Sequence, residues 1–156
     1  MKVLLLDTSI LVRERDTNDP KHLATIACVR RLWQTQWTLC LTTQSLIEYW
    51  SVATRPAEAR GGLGLTPEEA EVDIRHFLTL HDLIEEPQGL FERWRALVNR
   101  YHVLGKQVWD ARIVAVMQTT GIEHLLTFNK SDFKRYSSVI QAWDPEEVEL
   151  LTALVP

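Results

Sequence analysis

Five side chains able to hold a hard cation stand at separate points of the chain: Asp7, Glu48, Asp110, Asn129 and Asp132. Asp7 ends the apolar run VLLL and is followed by two hydroxyls, in VLLLDTS. Glu48 lies in SLIEYWSVATR, Asp110 in QVWDARIVAVM, and Asn129 and Asp132 in LTFNKSDF. Oxygen donors of this kind suit Mg²⁺ or Mn²⁺ and need no Cys or His. Carboxylates brought into one pocket repel each other and raise their pKa values unless a cation sits among them. Mg²⁺ keeps several waters and takes few protein ligands, which leaves room for a phosphate; such an ion can activate water for in-line attack on a phosphodiester.

Each residue also has a plainer reading. Asp7 could cap a helix starting at Thr8, since Asp is a favoured cap. On a helical wheel Glu48 falls opposite Leu46, Ile47, Trp50 and Ala53, which by itself describes a solvated face. Asp132 could cap the turn DFKRY, and Asn129 could be an ordinary turn residue. Asp110 is harder to dismiss, because it shares its side of the helix with Ile113, Val114 and Met117. An isolated charge there is costly, and a helix N-terminus offsets only about 0.3–1 kcal/mol at an exposed end. A metal or a rim position is therefore favoured for Asp110.

The elements that must position these groups alternate between strand and helix. Lys2–Leu6 is short, apolar and bounded by polar residues, as a buried strand is. A polar loop to Pro20 is expected next, then a helix over 22–37 and a strand over 38–41. Thr42 or Thr43 can cap a helix that stops before Pro56. A glycine-rich loop follows, and then a helix with Thr66 as cap, Pro67 at its first position and two glutamates in its first turn. A weak strand over 83–85 and helices over 90–101 and 107–119 come next, the last closed by Gly121. Strands over 124–128 and 139–142 complete the pattern. It predicts a single α/β domain over residues 1–156, with a mostly parallel sheet covered by helices on both faces. In such sheets ligands collect at the carboxyl ends of the strands, where Asp7, Asn129 and Asp132 all fall.

The 156 residues suffice for one core without disulfides. Cys28 and Cys40 lie in apolar surroundings without C-x-x-C spacing, which fits reduced thiols in a cytoplasm. No apolar stretch approaches the roughly 20 residues of a membrane span. A net charge of -4 argues against a general nucleic-acid coating protein, but a carboxylate cluster would itself make the total negative. The six tryptophans could stack bases, although most sit on helical apolar stripes as core or interface residues do.

MKVLLLDTSIL, SLIEYWSVATRP and VWDARIVAVMQTTGIEHLLTFNKSDF together resemble a PIN domain, most closely the VapC-like toxins of prokaryotic toxin–antitoxin pairs. The ordered combination of D-T-S, a helical Glu, W-D-A-R and T-F-N-x-x-D-F carries the likeness, and it spans nearly the whole chain. The resemblance implies a three-layer α/β/α fold and a Mg²⁺- or Mn²⁺-dependent endoribonuclease acting on single-stranded or looped RNA. It puts the acidic ligands at Asp7, Glu48 and Asp110, with Asn129 and Asp132 sharing a fourth position, where an amide adds no charge. It implies catalytic roles for Asp7, Glu48, Asp110 and Asp132, a homodimer, and a small antitoxin that blocks the site. Thr8 and Thr127 match hydroxyls that support the carboxylates or contact the phosphate. Arg13, Arg15, Arg112, Lys130 and Lys134 are near enough in sequence to contact phosphate, with Arg112, Lys130 and Asn129 the substrate-binding candidates beside the two threonines.

Two other readings remain open at this point: a housekeeping or DNA-directed nuclease of the same family, and a domain that binds RNA or protein without turnover. A dehalogenase-like phosphatase would require Asp two residues after Asp7, where Ser9 stands, and GGLGL lacks the Lys and Ser/Thr of a P-loop.

Overall fold

The computed structural model describes residues 2–155. Strand β1 (Lys2–Leu6) leads into α1 (Thr8–Arg15) and α2 (His22–Trp33). Then come β2 (Trp37–Thr42), α3 (Thr43–Thr54), α4 (Pro67–Leu80), β3 (Asp82–Ile84) and α5 (Leu90–Arg100). The last part holds α6 (Val108–Thr120), β4 (His124–Leu126), α7 (Lys130–Phe133), β5 (Gln141–Trp143) and α8 (Val148–Ala153).

The strands form one sheet in the order β3-β2-β1-β4-β5, and every pairing is parallel. Alternate residues of β1 serve opposite layers. Leu4 and Leu6 pack with residues of α1 to α4 and α8, whereas Leu5 packs with α5, α6 and Phe133 of α7. A strand covered on both sides must be apolar at every position, which explains the unbroken VLLL run. The three-layer α/β/α architecture follows.

The chain builds outward from β1 to β2 and β3, then crosses to the other side of β1 to add β4 and β5. The carboxyl ends of β1 and β4 therefore lie side by side at the point where the winding reverses, and loops diverge there to leave a crevice. The Asp7 amide donates to the Leu126 carbonyl at 3.0 Å and fastens the two ends together.

Local chemistry fixes the elements around this point. Thr66 and Glu69 form a complete capping box on α4, with Pro67 at the first helical position. The Thr42 hydroxyl accepts from the Ser45 amide and starts α3 directly from the end of β2. Gly121 closes α6 with φ 72°, a left-handed backbone that an L side chain resists.

Several expectations need correction. The polar loop expected up to Pro20 is helix α1 in its first half, because Asp7 caps it and Ile10 and Leu11 enter the core. The helix expected over 22–37 ends at Trp33; Trp37 is instead the first residue of β2, buried with its indole N–H donating to the Leu151 carbonyl at 3.1 Å. Strand β5 lies at Gln141–Trp143, later than the 139–142 expected, and α8 had no forerunner in the sequence reading. Both cysteines are free and buried, their thiols pushed up to about 12 chiefly by burial. His124 Nδ1 accepts from the Trp143 indole at 3.1 Å. Among the described residues, no helix is long and apolar enough to cross a membrane.

Candidate active site

At the winding reversal lies a cleft of about 430 Å³ whose wall includes Asp7, Glu48, Asp110, Asn129 and Asp132. Residues from the end of β1, the middle of α3, the first turn of α6 and the segment after β4 meet there.

Asp7 is the most firmly held. Its Oδ2 accepts from the Ser9 hydroxyl at 2.7 Å and the Thr127 hydroxyl at 2.8 Å, and more loosely from the Ser9 amide at 3.4 Å. Thr127 is fully buried and its oxygen also accepts from the Asn129 amide at 3.0 Å. The Ser9 hydroxyl in turn accepts from the Phe128 amide at 3.1 Å. This mesh ties α1 to the segment after β4 and consumes one carboxylate oxygen, leaving Oδ1 for a ligand. Asp7 thus has both roles at once, helix cap and cleft wall.

Glu48 is half-buried on α3. The Gln44 amide donates to its Oε1 at 2.7 Å, and the Thr8 hydroxyl lies 3.2 Å from its Oε2 and 3.1 Å from the Ser45 carbonyl. The wheel reading of Glu48 as a solvated position is corrected here. The packed face of α3 is Leu46, Tyr49 and Ala53, while Ile47, grouped with the core on the wheel, is 69% exposed. With Ile47 turned outward, Glu48 faces the rim.

Asp110 sits half-buried in the first turn of α6. Burial, and then the charges of Asp132, Asp7 and Glu48, push its carboxyl up from 3.8 to about 6; Arg135 opposes this weakly. Asp110 therefore feels three other carboxylates across the cleft, and a cation is the natural remedy. Among the described residues, no three His, Cys, Asp or Glu side chains close on one point tightly enough to grip an ion by themselves. An all-oxygen set spread around an open cleft nevertheless fits Mg²⁺ or Mn²⁺, which fill much of their coordination with water.

The substrate-binding candidates divide. Thr8 and Thr127 are buried and engaged with Glu48 and Asp7, so they position carboxylates, and Thr8 also lines the cleft. Lys130 turns away from the cleft to pair with both oxygens of Glu147 at 2.9 and 2.7 Å. Arg112 donates to Gln44 at 3.1 Å and pairs with Glu86, in a neighbouring groove. Arg15 is engaged by Asp73 at 2.9 Å. Asn129 does line the cleft.

The basic groups that reach the cleft are Arg13 and Arg55. Arg13 stacks on Phe128 at 4.4 Å and donates to the Ser9 carbonyl at 3.1 Å. Arg55 and the glycine-rich loop form the opposite wall, which sequence reasoning passed over as a mere connection. Gln44 and Ser9 were also missed. Their signals were present: Gln44 precedes Glu48 by one helical turn, and Ser9 stands two residues past a capping Asp.

Among curated proteins, no sequence matches this chain. Solved structures do match its shape. VapBC2 from Rickettsia felis, bound to a promoter DNA fragment, has TM-score 0.68 and 16% identity, covering 91% of this chain and 98% of that one. Mycobacterium tuberculosis VapC20, described as a Sarcin-Ricin loop cleaving toxin, has TM-score 0.61 and 20% identity, covering 88% and 96%. A toxin–antitoxin complex from Klebsiella pneumoniae has TM-score 0.60 and 22% identity, covering 91% and 97%. At such identities the likeness concerns the fold. The sequence model of the PIN domain matches residues 4–139, and by that extent the chain belongs to the PIN domain family.

Proposed function

We propose that this protein is a metal-dependent endoribonuclease and the toxin of a toxin–antitoxin pair. The observation that carries the reading is the convergence of Asp7, Glu48, Asp110 and Asp132 on one cleft, with Asp110 driven up to about 6. Asp7, Glu48 and Asp110 hold Mg²⁺ or Mn²⁺, with Asp132 and Asn129 completing the fourth position. When bound, the ion supplies Lewis-acid activation of water and neutralises charge at the phosphoryl group.

The chain's own side chains do the rest. Ser9 and Thr127 lock Asp7, and Thr8 and Gln44 lock Glu48, so the ligand oxygens are set before substrate arrives. Arg13, flattened against Phe128, and Arg55 on the opposite wall contact the backbone phosphates beside the scissile bond. Arg13, which also pairs with Asp19 at 3.7 Å, and Arg55 are the positive charges on an otherwise acidic cleft wall.

The shape shared with VapC20 and with the VapBC and Klebsiella complexes supports RNA as substrate and a small antitoxin as partner. The antitoxin brings Arg or Lys to the carboxylate cleft. The protein works in the cytoplasm, where Cys28 and Cys40 stay reduced, and as a homodimer. The test is cleavage of a mixed RNA pool by purified protein with Mg²⁺, with Mn²⁺ and with EDTA, beside Asp110→Asn and Asp7→Asn. Metal-dependent cleavage lost in both folded variants is expected. Full activity in either variant, or equal activity in EDTA, overturns the proposal. Growth arrest on expression, relieved by a small neighbouring gene product, distinguishes a toxin from a housekeeping nuclease.

A further inference from the structure

A second cavity adjoins the cleft through shared walls. A groove of about 720 Å³ is lined by Glu48, Asp110 and Asp132, which also wall the cleft, together with Lys106, Trp109 and Arg112. Beyond it, a smaller recess of about 450 Å³ is lined by Leu90, Phe91, Trp94 and Val108, and shares Trp109 and Arg112 with the groove. Three aromatic rings thus line one recess that shares walls with the groove beside the carboxylates.

These rings are set for stacking. Phe91 and Trp94 lie nearly parallel, 5.7 Å apart with 21° between their planes. The Trp94 indole is pinned because its N–H donates to the Val108 carbonyl at 2.9 Å. Yet Phe91 is 62% exposed and Trp109 is 56% exposed, so large ring surface faces the solvent. Apolar rings left open beside a polar, charged site suggest a ligand with a flat π-face and a charged backbone. Arg112 and Glu86, paired with each other, close the rim of the recess. Gln44 links the two places, donating both to Glu48 and to the Trp109 carbonyl at 2.9 Å.

We infer that this recess receives an unpaired nucleobase of the RNA, stacked among Phe91, Trp94 and Trp109, while its backbone crosses the groove past Lys106 to the carboxylates. The inference rests on the ribonuclease reading and deepens it by making a flipped or single-stranded base a requirement for productive binding. Double-stranded RNA, whose bases are already stacked, cannot fill the recess.

The probe is a single-stranded RNA oligonucleotide of mixed sequence carrying 2-aminopurine, whose fluorescence falls on stacking, and a matched oligonucleotide with an abasic residue at that position. Both are titrated in Ca²⁺ against the full chain, Trp109→Ala and Trp109→Phe. Trp109→Ala should weaken binding of the base-bearing strand by roughly 5- to 100-fold and abolish its quenching, with little effect on the abasic strand. Trp109→Phe should restore most of the affinity. Equal loss on both strands, or no loss on either, overturns the base pocket even if the parent still cleaves RNA. A parent chain that neither binds nor cleaves RNA overturns the ribonuclease reading itself. Size-exclusion chromatography runs beside the titration: conversion of a dimer to a monomer by Trp109→Ala would make the recess an interface between copies and also refute the inference.

Discussion

Replacing Asp110 with Asn should stabilise the metal-free protein while removing its activity. Burial and the carboxylates of Asp132, Asp7 and Glu48 raise the Asp110 carboxyl from 3.8 to about 6. Ionising it in the folded chain is therefore harder than in the unfolded chain, by at most about 3 kcal/mol for a shift of that size. The side chain is only half-buried, so solvent screening reduces the effect to roughly 1 kcal/mol. Because the folded pKa lies above the unfolded one, the stability in question is fully present below pH 3.8, where both states hold the proton. It is lost as the pH rises through about 6. Asn has nearly the same shape and no charge, and loses nothing on that ascent. For a chain of this size the Tm of Asp110→Asn should exceed that of the parent by roughly 2–4 °C at pH 8, and the two should converge near pH 4. Calorimetry in EDTA at pH 4, 6 and 8 reads this directly. Adding Mn²⁺ at pH 8 should then raise the parent's Tm more than the variant's. A variant no more stable than the parent at pH 8, or a gap that widens toward pH 4, would refute the burial and repulsion that raise the Asp110 carboxyl.

Thr127→Val keeps the shape of a buried side chain but strands the Asn129 amide and loosens Asp7; it should cost about 1–3 kcal/mol and weaken Mn²⁺ binding, measured by chemical denaturation and calorimetric titration. Thr66→Ala removes half of the α4 capping box at a residue that does not itself line the cleft, so about 1 kcal/mol of stability should go while the cleavage rate per folded molecule stays unchanged. Gly62→Ala drives a Cβ into the Pro56 carbonyl and to 2.7 Å from the Arg55 carbonyl; displacement of this cleft wall should raise KM for RNA with little change in kcat. An unaltered KM would show that the glycine-rich loop does not touch substrate.

The sequence was most informative where one physical cause dominates. The VLLL run could only be a strand covered on both sides, and Thr66-Pro67-Glu68-Glu69 could only open a helix. Helix α1 was legible only as one reading of Asp7, because its second half, VRER, is polar and too short to establish a period; what holds it is burial of Ile10 and Leu11, a tertiary fact. Asp110 was legible as an acid on an apolar helix. Glu48 was not, since a wheel ranks residues by hydropathy and took Ile47 for core, whereas the direction of α3 is set by Tyr49 and Ala53 packing below the sheet. The pairing of Arg112 and Lys130 was hidden for a related reason. Nearness in sequence says nothing about Glu86 and Glu147, the acids that claim them.

The bond from Thr127 to Asp7 spans 120 residues, and the Leu126 carbonyl that accepts from the Asp7 amide lies almost as far along the chain. The nuclease cleft is therefore a late product of synthesis. While the ribosome is still making the protein, β1, β2 and β3 can associate, but the position beside β1 that completes the site stays vacant until β4 emerges. Such long-range pairing is also the slowest kind to form. A nascent chain consequently lacks the lock on Asp7 until residues 126 and 127 have been made. A transcript truncated before residue 124 yields a fragment lacking β4 and Thr127, and with them the lock that sets Asp7.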